Sequence, residues 1–378
     1  MIRIDLDANA TTPLLPEVLD AMAAALRDLP GNPSSLHAPG RRAREALERA
    51  RASVAALIGA TPEDLFFVSG GTEANNLALR GTMHGMPGAL LVSSIEHASV
   101  LECAADLERQ GTIVRRIDPA PDGVVPLTGV EAALEEGDVS LVSLMLANNE
   151  TGCLQPVGEV ARQAHPRGVL VHTDAVQGVG KMIVSVSDLG VDLLSLSAHK
   201  IGGPKGIGAL WCRGAVRPRP LLQGGGQEGG LRPGTENVAA AVGFARAAEL
   251  ASARAETYAR SLSPLRDALE AAIVSRLRGA MAIGSGADRV ANTTCIAFEG
   301  IEGATLVQLL DLKGISASTG AACDAGSTAH SHVLRAMRVP ERHLAGGVRF
   351  SLGFPSEGGV IEEASRGIVE AVRELGGR

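Results

Sequence analysis

HTDAVQ (His172–Gln177), followed after a short interval by DLLSLSAHKIGGPKGIG (Asp192–Gly208), is the stretch from which the rest of this 378-residue chain can be read. Two apolar runs, Val169–Val171 and Val191–Leu196, read as strands. Polar groups stand at their C-terminal ends: Asp174 and Gln177 after the first, Ser197, His199 and Lys200 after the second. Gly202, Gly203 and Gly206 let the backbone turn closely behind the lysine. Taken singly these residues say little, because a lysine after a strand is usually solvated and an aspartate there is usually a helix cap. Several unlike groups, each at a strand end, say more.

Such a set is what a pyridoxal phosphate (PLP) site requires. A lysine amine condenses with the cofactor aldehyde, and a carboxylate facing the pyridine nitrogen keeps that nitrogen protonated, so that the ring withdraws electrons. Lys200 and Asp174 are the candidates for these two roles, and Ser197 and His199 can donate to the phosphate.

Outward from this stretch, Leu65–Val68, Ala89–Ser93, Ile113–Ile117 and Val139–Leu146 also read as strands, with helical patterns between most of them. The alternation predicts an α/β fold with a mainly parallel sheet buried on both faces, whose ligands sit beyond the C-terminal strand ends. Thr72, His97, Asn149, Asp174, Gln177 and Lys200 fall at those ends. Ser69-Gly-Gly-Thr72 before a helix is how backbone N–H groups come to face a phosphate, although a threonine there is commonly only a cap. His97 alone reads as a helix-start or surface residue and Asn149 alone as a turn former. A long helical stretch, Asn237–Leu277, then leads to short strands at Asn292–Phe298, Ile315–Ser318 and Gly347–Ser351 without strict alternation, the pattern of a smaller α+β C-terminal domain. Expected boundaries are 14–255 for the large domain and 256–378 for the small one, with an arm, 1–13, packing near the latter. Arg349, in the last of those strands, needs an anionic partner: a substrate carboxylate, or a structural Asp or Glu.

Ten blocks in order, LDANATTP (from Leu6), NPSSLHAPGR (from Asn32), SGGTEANN, EHASV, ANNETG, HTDAVQ, SAHKIGGPKG, RPGTENV, STGAAC and VRFSLG (to Gly353), resemble those of the cysteine desulfurases, the NifS/IscS branch of the class V aminotransferases. The resemblance implies a PLP-binding domain built on a seven-stranded type of sheet. It implies a phosphate cup at Gly71 and Thr72, His97 stacked on the pyridine ring and relaying protons, and Asn149 bonding cofactor or substrate. It further implies a phosphate contact from Thr235 across a homodimer interface, Arg349 on the substrate α-carboxylate, and Lys200 moving the Cα proton. L-cysteine would become L-alanine, and Cys323 would take the sulfur as a persulfide for an acceptor protein in iron–sulfur cluster assembly or thiolation of tRNA or a cofactor. Two departures stand out: Gly229 where the family commonly has arginine, and Asp324 beside Cys323, where a carboxylate disfavours the thiolate. A selenocysteine lyase, a PLP transaminase and a noncatalytic sulfur-acceptor scaffold are the rival readings.

Composition is consistent with these expectations. A 45% hydrophobic content with mean hydropathy +0.15 argues against disorder, and no apolar run reaches the roughly 18 residues of a membrane span. Met1–Asp7 has no signal-peptide character, so a cytoplasmic protein is expected. A net charge of −7 provides no basic footprint for direct nucleic-acid binding. Of five cysteines none forms a CxxC pair, so neither disulfides nor a metal site are expected; His330 and His332 lack further ligands. Cys103, Cys212 and Cys295 lie in apolar surroundings, whereas Cys323 sits in a loop of small residues, a poor place for a structural thiol.

Overall fold

A computed structural model of the protein describes residues 3–320 and 330–376. Its strands are β1 (Ile4–Asp5), β2 (Leu65–Val68), β3 (Ala89–Ser93), β4 (Val114–Ile117), β5 (Val139–Ser143), β6 (Leu170–Asp174), β7 (Leu193–Ser197), β8 (Gly208–Cys212), β9 (Ala280–Ile283), β10 (Thr293–Phe298), β11 (Ile315–Ser316), β12 (Ser318–Thr319) and β13 (Gly347–Ser351). Seven of them form one sheet in the order β2-β8-β7-β6-β5-β3-β4. Only β8 runs antiparallel to its neighbours, so the C-terminal ends of β2, β3, β5, β6 and β7 open on the same side.

Side chains alternate across each strand, and this alternation builds two cores from short apolar runs. Leu65, Phe67, Leu91, Leu194, Leu196, Ala209 and Trp211 enter the core beneath the helices Ala38–Ala56 and Val238–Val274. Phe66, Val68, Leu90, Val92, Leu193, Leu210 and Cys212 enter the opposite core, under Gly71–Met83 and Ala98–Arg109. A strand covered on both faces has no need of polar alternation, which is why these runs are continuously hydrophobic.

A second sheet, antiparallel in the order β12-β13-β10-β9, carries its own core with Phe298, Phe350, Leu306 and Ile368. The 37-residue helix Val238–Val274 is shared between the two: Ala240 to Ala251 pack on the large sheet, Tyr258 to Ile273 in the smaller core. The amino-terminal arm packs with the smaller core: β1 pairs parallel to β11 in a separate two-stranded sheet, and Asp7 bridges to Ser351 of β13. Ile315–Ser318, expected as one strand, divides into β11 and β12, which pair with different partners.

Candidate active site

Beyond the C-terminal ends of the parallel strands lies a cavity of about 220 Å³. Its walls carry Gly71, Thr72, His97, Asn149, Asp174, Gln177, Ser197, His199 and Lys200, nine residues chosen from sequence and drawn from five separate strand ends. Thr235 is exposed and is not among the lining residues; nor is Arg349. Cys323 and Asp324 lie outside the described residues.

Asp174 ends β6 and is buried. Its two carboxylate oxygens accept from the Val176 backbone N–H at 3.0 Å and from Asn75 Nδ2 at 2.7 Å. The same Asn75 amide donates to Ser99 Oγ at 2.9 Å, and Ser99 Oγ lies 2.8 Å from His97 Nδ1. His97 caps the helix Ala98–Arg109 by accepting the Ser99 N–H on Nδ1, at 3.1 Å. A ring accepting there carries its neutral-form proton on Nε2. Burial holds the imidazole below its ordinary pKa; Asp174 opposes this, and Lys200 and His332 add to it. His97 is therefore both the helix-start residue its sequence context suggested and a wall of the cavity.

Lys200 closes the short turn Ala198–Lys200 after β7, and its Nζ donates to the carbonyls of Asn9 at 2.7 Å and Ala10 at 2.8 Å. The arm thus covers the lysine from the small-sheet side. Thr12 binds the His199 carbonyl, and Thr11 Oγ1 lies 3.1 Å from His199 Nδ1. Burial, then Lys200 and Lys205, lower the His199 imidazole to about 4, so this ring is neutral and can still donate one N–H.

Asn9, Asn75, Ser99 and Lys181 are the residues sequence reasoning missed. Lys181 Nζ donates at 2.5 Å to both Asn9 Oδ1 and Gln177 Oε1, while Gln177 Nε2 donates to the Asn9 carbonyl at 3.0 Å. Burial, with Lys200 and Arg349 nearby, drives the Lys181 amine well below its ordinary pKa. The only sequence sign of these four was their place inside or beside the ten blocks; none is a residue type that announces itself.

Arg349, on β13, is fixed rather than free. Its Nη2 donates to Asp7 Oδ1 at 2.7 Å and its Nη1 to the Asn149 carbonyl at 3.0 Å. Gly229 and its neighbour Glu228 have φ of +62° and +48°. Glu228 is buried and bonds Arg51 through both carboxylate oxygens, at 2.6 and 2.9 Å, and the Phe67 N–H at 2.8 Å. The loop is therefore pinned at Glu228, next to the position where arginine is replaced.

The cavity suits PLP in its donor set and its shape. The helix Gly71–Met83 directs its N-terminus at the cavity, a fitting place for a phosphate. A Cβ added to Gly71 would meet Val176 Cγ2 at 2.9 Å, so the cup depends on that glycine. Asp174, held as an acceptor by two donors, suits a protonated pyridine nitrogen, and Lys200 supplies the amine.

The class-V aminotransferase family model matches residues 4–359. A cysteine desulfurase of Cereibacter sphaeroides is 46% identical over 99% of this chain and 98% of its own, and one of Enterobacter agglomerans is 43% identical over 99% and 94%. Among solved structures, a NifS-like protein superposes with a TM-score of 0.92 at 37% identity, covering 99% of this chain and 100% of the other. With matches of this extent joined to a cavity bearing the cofactor groups, the chain belongs to the class V aminotransferases, among the PLP-dependent cysteine desulfurases.

Proposed function

We propose that the protein converts L-cysteine to L-alanine and passes the sulfur through Cys323 to an acceptor protein. The observation that carries this reading is the meeting of Lys200, Asp174, His97, Asn149 and the Gly71–Thr72 turn around one cavity. When bound, PLP supplies an electron sink that acidifies the substrate Cα–H and labilises the Cβ–S bond. Lys200 takes and returns the Cα proton, Asp174 keeps the pyridine nitrogen charged, and His97, with its proton on Nε2, serves protons at the cavity wall. Ser197, His199 and the Gly71–Thr72 turn would hold the phosphate, and Gln177 and Asn149 would hydrogen-bond the cofactor or substrate. Arg349 binds the substrate carboxylate.

Sulfur transfer needs a thiolate. Four of the five cysteines are poor candidates: Cys103, Cys153, Cys212 and Cys295 are buried, and burial raises all four thiols, Cys103 to about 11 and Cys212 to about 12. Cys323 is the remaining one. Its thiolate attacks the substrate sulfur, the C–S electron pair stays with carbon and is protonated, and the products are a Cys323 persulfide and alanine, with no external oxidant.

The reading extends to a cytoplasmic homodimer in which Thr235 reaches the neighbouring subunit's phosphate, and to a domain division at 255/256. Thr235 being exposed and apart from its own cavity supports the former, and the change of core between Ala251 and Tyr258 supports the latter. No described helix is long and apolar enough to cross a membrane.

Single-turnover incubation of the holoenzyme with L-cysteine, beside Cys323→Ala, tests the reading. Alanine with one added sulfur on the wild-type protein, both lost in the variant, is the expected result. Equal alanine from Cys323→Ala would overturn the persulfide route and point to a lyase or transaminase.

A further inference from the structure

Arg349 sits in the middle of β13, its side chain 6% exposed, and two of its three nitrogens are already bonded within the protein. The third, Nε, is buried and has no partner among the described residues. An unpaired donor of a buried cation is costly, and a carboxylate is the ligand whose shape matches a guanidinium edge. Lacking the two existing bonds, the guanidinium could turn about its own stem and present any edge. Asp7 removes that freedom on one side and the Asn149 carbonyl on the other.

Asp7 is itself held from several directions. Its backbone N–H donates to Asp5 Oδ1 at 2.9 Å, its second carboxylate oxygen accepts from Ser318 Oγ at 3.3 Å, and it bridges to Ser351. The carboxylate that fixes Arg349 is thus built into the arm and the small sheet, whereas Asn149 belongs to the cavity wall. Asn9, two residues on, ties the same arm to the Asn149 carbonyl at 3.2 Å and to the Lys200 amine.

We infer that Asp7 is a positioning residue for substrate-carboxylate recognition: with the Asn149 carbonyl it fixes the Arg349 guanidinium beside the Asn149 wall of the cavity, where the carboxylate of the amino acid would be met. Asp7 does not touch substrate; it acts through Arg349. This rests on the reading of Arg349 as the carboxylate-binding residue.

The test is equilibrium binding to the holoenzyme of L-alanine and of ethylamine, which is L-alanine without its carboxylate, followed by the cofactor absorbance. Asp7→Ala should weaken L-alanine binding about 10-fold, the worth of a charge-assisted hydrogen bond, and leave ethylamine binding unchanged. In an Arg349→Met background the same substitution should have no further effect. Unchanged or tighter L-alanine binding in Asp7→Ala overturns the inference, as does an equal loss for both ligands, which would mark a purely structural role. If Asp7→Ala does not fold, Asp7→Asn replaces it, with a loss of about three-fold expected and the same overturning results. Arg349→Met alone separates the two claims: if it leaves the L-alanine to ethylamine ratio intact, the assignment of Arg349 fails, whereas loss of that ratio with an unaffected Asp7→Ala sinks the inference alone.

Discussion

Asn75 shows how a residue with no chemistry of its own can govern a site. Its single NH2 group serves both Asp174 and Ser99, so it joins the buried acid at the end of β6 to His97 on the cavity wall. Asn75→Leu, similar in size but without donors, should raise the PLP dissociation constant about 10-fold; titration of the apoprotein by absorbance measures it, and an unchanged constant would remove Asn75 from the cofactor's support. Glu96, the neighbour of His97, gives a pH prediction. Burial raises its carboxyl to about 8, against hydrogen bonds from Ser93 and Met145 that lower it. The folded protein therefore keeps a proton that the unfolded chain releases above roughly pH 4.3. Stability from this group is full below that pH and is lost as pH rises through about 8. Glu96→Gln should abolish the slope, so wild type should lose stability relative to the variant between those limits in urea titrations at successive pH. Lys200, Asp174 and His97 were legible because each is a reactive type at a strand end; Asn75 and Glu96 were not, because an amide or carboxyl beside a motif has no distinguishing pattern until its partners are known.

At the scale of elements, the strands were readable because two-sided burial leaves uninterrupted apolar runs, and β6 and β7 fell within three residues of expectation. Where pairing rather than composition decides, the sequence was silent: nothing in Ile315–Thr319 says that Ile315 and Ser316 join the arm while Ser318 and Thr319 join β13. Nor did Gly224–Gly230, which reads as a flexible loop, announce its anchor. There Glu228 adopts a left-handed backbone, rare for a side-chain residue, and is held by Arg51, which also lies 5.0 Å from the centre of the Phe67 ring. Removing the carboxylate would leave the buried guanidinium with the Leu65 carbonyl and the exposed Glu48 as its remaining partners. Glu228→Ala should therefore destabilise the fold by about 3–5 kcal/mol in equilibrium urea unfolding; a loss below about 1 kcal/mol, typical of an exposed pair, would mean that the loop is not held this way.

For the whole molecule, the arm is the piece that makes two sheets into one site. Asn9 alone bonds Asn149, Gln177, Lys181 and Lys200 on one side and Asn292, Thr293 and Ser351 on the other. Asn9→Ala should cost about 2–3 kcal/mol, since it removes four side-chain hydrogen bonds, to Asn149, Lys181, Asn292 and Thr293, and unfolding followed at both Trp211 and the cofactor absorbance would measure it. Sequence placed the arm near the small domain but did not reveal that its backbone carbonyls receive the Lys200 amine. A main-chain acceptor leaves no mark in a side-chain pattern. The distance along the chain between these partners has a consequence for biosynthesis. Asn9 is made long before its partner, because its N–H donates to Ser351, 342 positions later. The arm must wait, solvated, while the intervening chain emerges, and contacts of such separation form late. Cofactor capture is thereby deferred until β13 has been made: ribosome-bound chains halted before β13 clears the exit tunnel should retain no PLP, and those halted well after it should.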